Sequence, residues 1–215
     1  METSSQVLHQ IGQYLKLPCT IVLFALMAVA LFEIGYVISE GICRMRRKPL
    51  HVVALLPRMQ GKNPEEIRKL LEESHLLKRQ KKALDQLLDT ANLQEEVQTA
   101  AAQRLLEAEE AYYHRLLAAT NLVAKLGPMF GLLGTLIPLG PGIVALGQGD
   151  TQTLSTAMNY AFDTTIAGLI SAAVCSVISM RRQSWYKREL ADLETLMEAC
   201  LPELKAYSQR RGKAA

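Results

Sequence analysis

Three long stretches of this sequence are apolar and almost free of charge, and they restrict the chain to few folds. They cover residues 17–32, 126–149 and 151–180, and the only charged side chain within them is Asp163. Each stretch approaches or exceeds the roughly 20 apolar residues that an α-helix needs to cross a lipid bilayer. We therefore predict an all-α integral membrane protein with three transmembrane helices and long cytoplasmic helical extensions.

The positively charged residues lie outside these stretches and predict an orientation. Of the 24 Lys and Arg residues, fifteen fall within residues 44–125, eight follow Met180, and only Lys16 precedes the first stretch. Because positive charge accumulates on the cytoplasmic side of membrane proteins, the N-terminus and the loop near Asp150 are expected to face outward. The C-terminus then faces the cytoplasm, and the expected location is the inner (cytoplasmic) membrane.

Basic residues also mark the ends of the predicted spans. The first span ends at the run Arg44, Arg46, Arg47 and Lys48, and the third at Arg181 and Arg182. The predicted order begins with an N-terminal periplasmic segment over 1–16, a first span over 17–43 and a cytoplasmic helical region over 44–120. A second span over 121–147, a periplasmic loop over 148–155 and a third span over 156–180 follow. The chain then continues as a cytoplasmic C-terminal helix over 181–215.

The first apolar stretch has an alternative interpretation as a cleaved signal peptide. Residues 28–30 read Ala-Val-Ala, which fits the small-residue pattern of a cleavage site. A signal peptide carries its positive charges before the apolar block, whereas here the basic cluster follows it. The charge order therefore favours a retained membrane span.

The charged regions predict helices that continue from the spans. Residues 49–61 are interpreted as a Pro-bounded linker, and Asn63 with Glu66 gives a capping-box start to a helix near Pro64. Residues 93–126 contain no Gly or Pro, so this helix is expected to run directly into the second span. The third span is expected to continue past its basic end, with Trp185 and Tyr186 as membrane-interface anchors, until Pro202.

The sequence offers little for catalysis or for binding metals and nucleic acids. It has no H-E-x-x-H, G-x-S-x-G or phosphate-loop pattern, and its four histidines are isolated. Its four cysteines form no C-x-x-C pair and are expected to be core-filling thiols. Basic residues do not alternate with aromatic ones, which argues against nucleic-acid binding. We expect neither an enzyme nor a bound metal or cofactor.

Small and hydroxyl-bearing residues concentrate in the second and third stretches. Residues 127–142 read GPMFGLLGTLIPLGPG, and residues 161–169 read AFDTTIAGL. Glycines at positions 127, 131 and 134 share one helix face and allow another helix backbone to approach closely. Gly168 lies on a similar small-residue face of the third stretch. The predicted helix-packing residues are therefore Gly127, Gly131, Gly134 and Gly168.

These two segments resemble the MotA/TolQ/ExbB proton channel family. That family has a G-L-x-G-T segment in the second span and a T-x-x-G-L segment in the third, matched here by residues 131–135 and 165–169. The resemblance implies that Thr135 and Thr165 line an ion path. We expect Thr164 to complete the polar surface, and the translocated ion is expected to be H⁺, with Na⁺ as the alternative.

The resemblance also implies partners and a function. It implies a homopentamer in the lipid bilayer around a dimer of a single-span partner of ExbD, TolR or MotB type. The implied function is that of a stator subunit, which uses the ion-motive force to drive mechanical work through this partner. The alternative is a membrane scaffold without ion conduction, in which each Thr hydroxyl only bonds back to its own helix. A small membrane enzyme is a third class, and it lacks any ligand cluster.

Asp163 is the one carboxylate within the three apolar stretches. Burying such a group near the bilayer centre costs about 3 kcal/mol, so it normally faces a bundle interior or water. We predict that Asp163 belongs to the ion path rather than to a structural contact. Residues two apart on a helix point about 200° apart, so Asp163 and Thr165 cannot both face one pore. Asp163 is then expected to face a neighbouring subunit or a side water path.

Two prolines and two further acids complete the candidates. Pro138 and Pro141 lie in the second span, where each removes a backbone donor and predicts a kink with either an architectural or a gating role. Glu33 and Glu40 lie at the end of the first span. They are expected to reach the interface or to pair with Arg44 or Lys125.

Overall fold

The computed structural model describes residues 2–45 and 52–212, and the regular structure within them is entirely helical. The helices are α1 (Glu2–Met45), α2 (Val52–Met59), α3 (Pro64–Glu73), α4 (Lys78–Leu88), a 3₁₀ turn (Asp89–Asn92), α5 (Glu95–Gly147) and α6 (Thr151–Gly212). Helices α1, α5 and α6 are each long and apolar enough to cross a membrane. The predicted all-α membrane fold with three spanning helices is confirmed.

The chain forms two compact units. The first, called the membrane unit, comprises Met1–Gly41 and Leu117–Arg182. The second, called the bundle unit, comprises Ile42–Leu116 and Gln183–Ala215. The three apolar stretches of the sequence all fall in the membrane unit. Arg46, Arg47 and Lys48, which were predicted to end the first span, lie outside the described residues.

In the membrane unit, α1 packs through one face. Its buried apolar residues recur every three or four positions, and they are Cys19, Leu23, Leu26 and Ala30. Leu26 and Ala30 form a cluster with Val123 of α5 and Cys175 of α6. Large apolar side chains elsewhere on α1 remain exposed, for example Phe24 and Phe32. An exposed apolar face is what a membrane-spanning helix presents to lipid.

A tight turn joins α5 to α6. Gly149 has φ +84°, a left-handed conformation that glycine adopts without the steric penalty of a Cβ. The Asp150 carboxylate then accepts hydrogen bonds from the Gln152 and Thr153 backbone N–H groups at 3.1 and 3.0 Å. Helix α6 therefore begins at Thr151, so the connection is shorter than the loop predicted over residues 148–155.

The bundle unit has an apolar core built from all of its helices. The apolar core residues with no exposed surface lie in α3, α4 and α6, and they are Ile67, Leu84, Leu87, Leu196, Cys200 and Leu204. Burying each large side chain of this kind contributes about 1.5–3 kcal/mol. Helix α3 begins at Pro64 as predicted, and the Glu66 carboxylate accepts the Asn63 N–H at 3.1 Å.

Two boundaries in the bundle unit differ from the sequence predictions. The interpretation of residues 49–61 as a linker is wrong for Val52–Met59, which form α2, because Val52 and Met59 are buried in the core. Pro202 does not end α6, which continues to Gly212. Burial of Leu204 in the same core stabilises the turn after the proline and offsets its missing hydrogen bond.

Aromatic residues at the start of the bundle unit are packed inward. Tyr186 is buried and stacks on Tyr113, with ring centroids 4.6 Å apart. The Arg44 guanidinium lies 4.9 Å from the centre of the Trp185 ring and donates to Glu189 at 2.7 Å. Tyr186 is therefore a core residue rather than the predicted membrane-interface anchor.

Candidate functional site

The glycines of α5 bring its backbone into direct contact with α6. A Cβ added to Gly127 would lie 2.7 Å from the Gly168 carbonyl oxygen, and one added to Gly134 would lie 2.6 Å from Thr164 Cβ. Gly131 is less crowded, since a Cβ there would lie 3.4 Å from the Thr164 carbonyl oxygen. The small-residue faces of the two helices are thus occupied by each other within one chain.

The three threonines all lie near this contact. Thr164 is buried and donates to the Ala161 carbonyl at 2.9 Å. Thr165 donates to the same carbonyl at 3.2 Å, and its hydroxyl also lies 3.5 Å from the Gly131 carbonyl of α5. Thr135 is half-buried and donates to the Leu132 carbonyl at 2.7 Å. Each hydroxyl has a backbone partner in its own helix, and Thr165 also reaches the other helix.

Asp163 lies away from the glycine contact. It is exposed, and it lines a groove of about 300 Å³ beside α1. The other lining residues are mostly apolar, and they are Thr20, Leu23, Phe24, Met27, Tyr160, Thr164 and Ala167. Thr165 therefore points towards α5 while Asp163 faces the α1 side. This is the separation that the helical geometry requires for residues two apart.

A second polar group lies between α1 and α6, on the side of the membrane unit that carries the α5–α6 turn. The Thr20 and Tyr160 hydroxyls form a hydrogen bond of 2.5 Å. The Lys16 ammonium lies 5.2 Å from the centre of the Tyr160 ring, a cation–π distance. Lys16 and Tyr160 line an open groove of about 570 Å³ together with Pro138 and Pro141. Helix α5 continues through both prolines, and the role predicted for a kink there stays a prediction.

At the opposite end of the membrane unit, the structure contains a buried ion cluster that was not predicted from the sequence. The Arg182 side chain is only 2% exposed. Its Nη1 lies 3.0 Å from a Glu33 carboxylate oxygen, and its Nε lies 3.3 Å from one of Glu40. The Tyr36 ring centre lies 5.0 Å from the guanidinium carbon. Arg182 therefore joins α1 to α6, and it does more than mark the end of a span.

A signal for this cluster was present in the sequence. Glu33 follows Cys19, Leu23, Leu26 and Ala30 at the same spacing of three or four residues, and Glu40 lies seven residues, or two such steps, further along. Both acids therefore continue the packing face of α1. Treating them as interfacial groups paired with Arg44 or Lys125 overlooked this pattern. The pairing with Arg182 is between residues 149 positions apart and needs the fold.

The described residues contain neither a candidate metal-binding group nor a disulfide. None of their His, Cys, Asp and Glu side chains gather in a group that could hold a metal ion. All four cysteines are free, and three of them are buried, whereas Cys43 is exposed. Among groups outside the spans, Asp150 has a pKa below its ordinary value because the Thr153 hydroxyl and backbone N–H groups donate to its carboxylate.

Comparisons with known proteins address the identity of the chain. No curated protein matches it. The sequence model of the MotA/TolQ/ExbB proton channel family matches residues 73–195, more than half of the chain. The match includes the glycine contact, the threonines and Asp163, and it extends beyond both spans into α4 and the second half of α6. This chain belongs to the MotA/TolQ/ExbB proton channel family.

Proposed function

We propose that the chain is the channel-forming stator subunit of an ion-driven motor in the inner membrane. In this proposal H⁺, or alternatively Na⁺, passes between its spans down the electrochemical gradient. The flow drives mechanical work through a single-span partner of ExbD, TolR or MotB type. Membership of a proton channel family supports the conduction step. Members of this family work in oligomeric complexes with single-span proteins, and a homopentamer around a partner dimer is the proposed assembly.

The observation that carries the proposal is the position of Thr165. Its hydroxyl lies 3.2 Å from one carbonyl of α6 and 3.5 Å from the Gly131 carbonyl of α5. A hydroxyl between two carbonyls can donate to either and can accept from a water molecule. Thr165 thus supplies a hydrogen-bonding step between α5 and α6, and Thr135 and Thr164 are proposed to extend it along the contact.

Asp163 supports the proposed oligomer. Its carboxylate is exposed on the single chain, beside a mostly apolar groove. Leaving a charged carboxylate in contact with lipid costs about 3 kcal/mol even on the mildest scale. Covering this face with a neighbouring subunit, or hydrating it along the ion path, removes that cost. The same reasoning favours an assembly of several chains over a single one.

The proposed orientation places the α5–α6 turn outside and the bundle unit in the cytoplasm. Support comes from charge, since residues 147–156 contain no Lys or Arg while the bundle unit is rich in both. Retention of Lys and Arg on the cytoplasmic side is the general rule for inner-membrane proteins.

A membrane scaffold without conduction is the second candidate. It is favoured by the hydrogen bonds themselves, because the hydroxyls of Thr135, Thr164 and Thr165 all donate to carbonyls of their own helices. A threonine that bonds back to its helix needs no ion path to explain it. The two candidates differ in whether removal of a hydroxyl changes ion flux.

The test is proton flux into vesicles that contain the chain and the single-span protein that co-purifies with it. A pH-sensitive dye inside the vesicles reports flux after a gradient is imposed. Thr165→Val keeps the side-chain shape and removes the hydroxyl, so flux is expected to be lost while assembly is retained. Thr195→Val is the matched control, because Thr195 also donates to its own helix but lies in the bundle unit. Wild-type flux from Thr165→Val would favour the scaffold.

A further inference from the structure

The groove of about 570 Å³ on the side of the α5–α6 turn has an apolar wall and a polar wall. The apolar wall includes Ile137, Pro138 and Pro141 of α5, and the polar wall includes Lys16 of α1 with Thr156 and Tyr160 of α6. Its volume falls within the range of about 300–1,000 Å³ that is usual for ligand sites. The two kinds of wall fit an amphipathic ligand better than water alone.

The Lys16 ammonium is held at this groove by a closed set of contacts. Because the Thr20 hydroxyl donates to the Lys16 carbonyl at 2.8 Å, its oxygen accepts the hydrogen bond of 2.5 Å from the Tyr160 hydroxyl. The Lys16 ammonium in turn lies 5.2 Å from the centre of the Tyr160 ring. Helices α1 and α6 therefore position this charge together.

Lys16 gives the groove a positive charge without a matching negative one. It is exposed, and it forms no ion pair within the part of the chain that the structure describes. It is the only Lys or Arg in the first 43 residues, and residues 126–180 contain none. The Asp150 carboxylate is occupied in capping α6, and Asp163 lines the neighbouring groove instead. An anion in the groove would therefore complement Lys16.

Most other side-chain donors at the groove are already used. The Thr156 hydroxyl donates to the Gln152 carbonyl at 3.0 Å, and the Thr153 hydroxyl donates to Asp150 at 2.5 Å. Among the described lining residues, the ammonium of Lys16 and the side-chain amide of Gln152 remain as donors. Both groups can donate to an anionic oxygen, so the groove is suited to a ligand that carries such oxygens.

The location of the groove indicates which anion this is. Lys16 directly precedes the apolar stretch 17–32, and a lysine at the end of a membrane helix extends its ammonium to the headgroup region. Tyrosine is also enriched at this depth. The anion that a bilayer itself supplies there is the lipid phosphate. The glycerol and acyl chains attached to that phosphate need an apolar surface, which α5 provides at Ile137, Pro138 and Pro141.

We propose that this groove binds a phospholipid from the leaflet on the side of the α5–α6 turn. Lys16 donates to the phosphodiester oxygens, and the Gln152 amide supplies a second donor. The glycerol and the upper part of the acyl chains pack against the apolar wall of α5. The inference goes beyond the proposed function and does not depend on ion conduction.

The experiment is photolabelling of the complete complex in dodecyl maltoside micelles, which contain no phosphate. The labelled lipid is a phosphatidylglycerol with a diazirine in its acyl chain next to the glycerol, and mass spectrometry locates the modified peptides. We expect label on the groove segments 137–142 and 152–160. A diacylglycerol with the same diazirine chains and no phosphate is the control lipid. It should label these segments about fivefold less, the effect expected of one lysine at a membrane surface.

Variants at Lys16 test its role. Lys16→Gln removes the charge and keeps most of the length, so labelling of the groove should fall about fivefold. Lys16→Arg keeps the charge and should retain labelling. Lys125→Gln is the matched control, because Lys125 is also exposed in the membrane unit but does not line the groove. Its labelling should equal that of the wild type.

Three outcomes would overturn the inference. The first is equal labelling of the wild type and Lys16→Gln, and the second is an equal loss of label in Lys125→Gln. The third is equal labelling by diacylglycerol, since the phosphate would then not be recognised. This comparison uses only the wild type, so it decides the matter even if Lys16→Gln does not assemble. Absence of label from the groove in the wild-type complex would show that a protein segment covers it, and the inference would fail as well.

Discussion

Replacement of Gly168 by alanine tests the close contact between α5 and α6 most directly. A Cβ at this position would lie 2.5 Å from the Gly127 carbonyl oxygen and 2.9 Å from Gly131 Cα. Ordinary contact begins at 3.4 Å, so the helices would have to separate by about 0.9 Å. Both obstructing atoms belong to the backbone, and no side chain can rotate away. Overpacking of this kind costs about 1–3 kcal/mol.

Other glycines of the membrane unit provide matched controls for this substitution. Alanine also gains up to about 1 kcal/mol of helix propensity over glycine, which would partly hide the cost. Gly35→Ala in α1 has the same gain, and a Cβ there would meet nothing within 4 Å. The difference between the two variants therefore isolates the steric term. Gly131→Ala should resemble Gly35→Ala, because its new Cβ would lie 3.4–3.5 Å from its neighbours.

The free energy of unfolding is measured on the purified chain in mixed micelles by raising the proportion of denaturing detergent. Circular dichroism follows the loss of helix. Gly168→Ala should unfold about 1–3 kcal/mol more easily than Gly35→Ala. Equal stability of the two variants would show that α5 and α6 are further apart than the structure has them, and the account of the glycine contact would be wrong.

Two further predictions concern the turn between α5 and α6. Asp150 caps α6 as a carboxylate, and its pKa is lowered by the Thr153 hydroxyl and by backbone N–H groups. The cap is therefore fully formed above the ordinary pKa of 3.8, and it is lost as the pH falls through the lowered pKa. Hydrogen exchange at the Gln152 and Thr153 amides, relative to the intrinsic rate, should increase below that pH, whereas unchanged protection would contradict the cap. For orientation, a single cysteine at Gln148, which is exposed, should react with an impermeant thiol reagent from outside in a background without native cysteines. Labelling only from inside would reverse the proposed topology.

The spans could be predicted from the sequence because charge and apolarity are sharply separated along it. A stretch such as residues 126–149, with no charged side chain, has few alternatives to a membrane helix. The start of α3 was equally accessible, since the Asn63 and Glu66 pattern is local. Features that depend on neighbours in sequence were therefore the ones found correctly.

What the sequence did not provide depends on contacts between distant residues. Helix α2 contains Pro57, a residue that normally argues against a helix, and burial of Val52 and Met59 in the bundle core outweighs it. Pro202 was treated as a stop for the same local reason. The pairing of Arg182 with Glu33 needs α1 and α6 to be side by side. In each case tertiary burial decided against the local preference.

The glycine contact and the proposed ion path depend on each other physically. The Thr165 hydroxyl reaches the Gly131 carbonyl at 3.5 Å, which is the limit of a useful hydrogen bond. Gly168 lies nearly one turn further along the same helix and sets the distance between the backbones at this level. A separation of about 0.9 Å would move the hydroxyl out of reach of α5 and leave it bonded only to its own helix. The small residues are therefore required for the threonine to act between two helices, which explains why both occur in the same short segments.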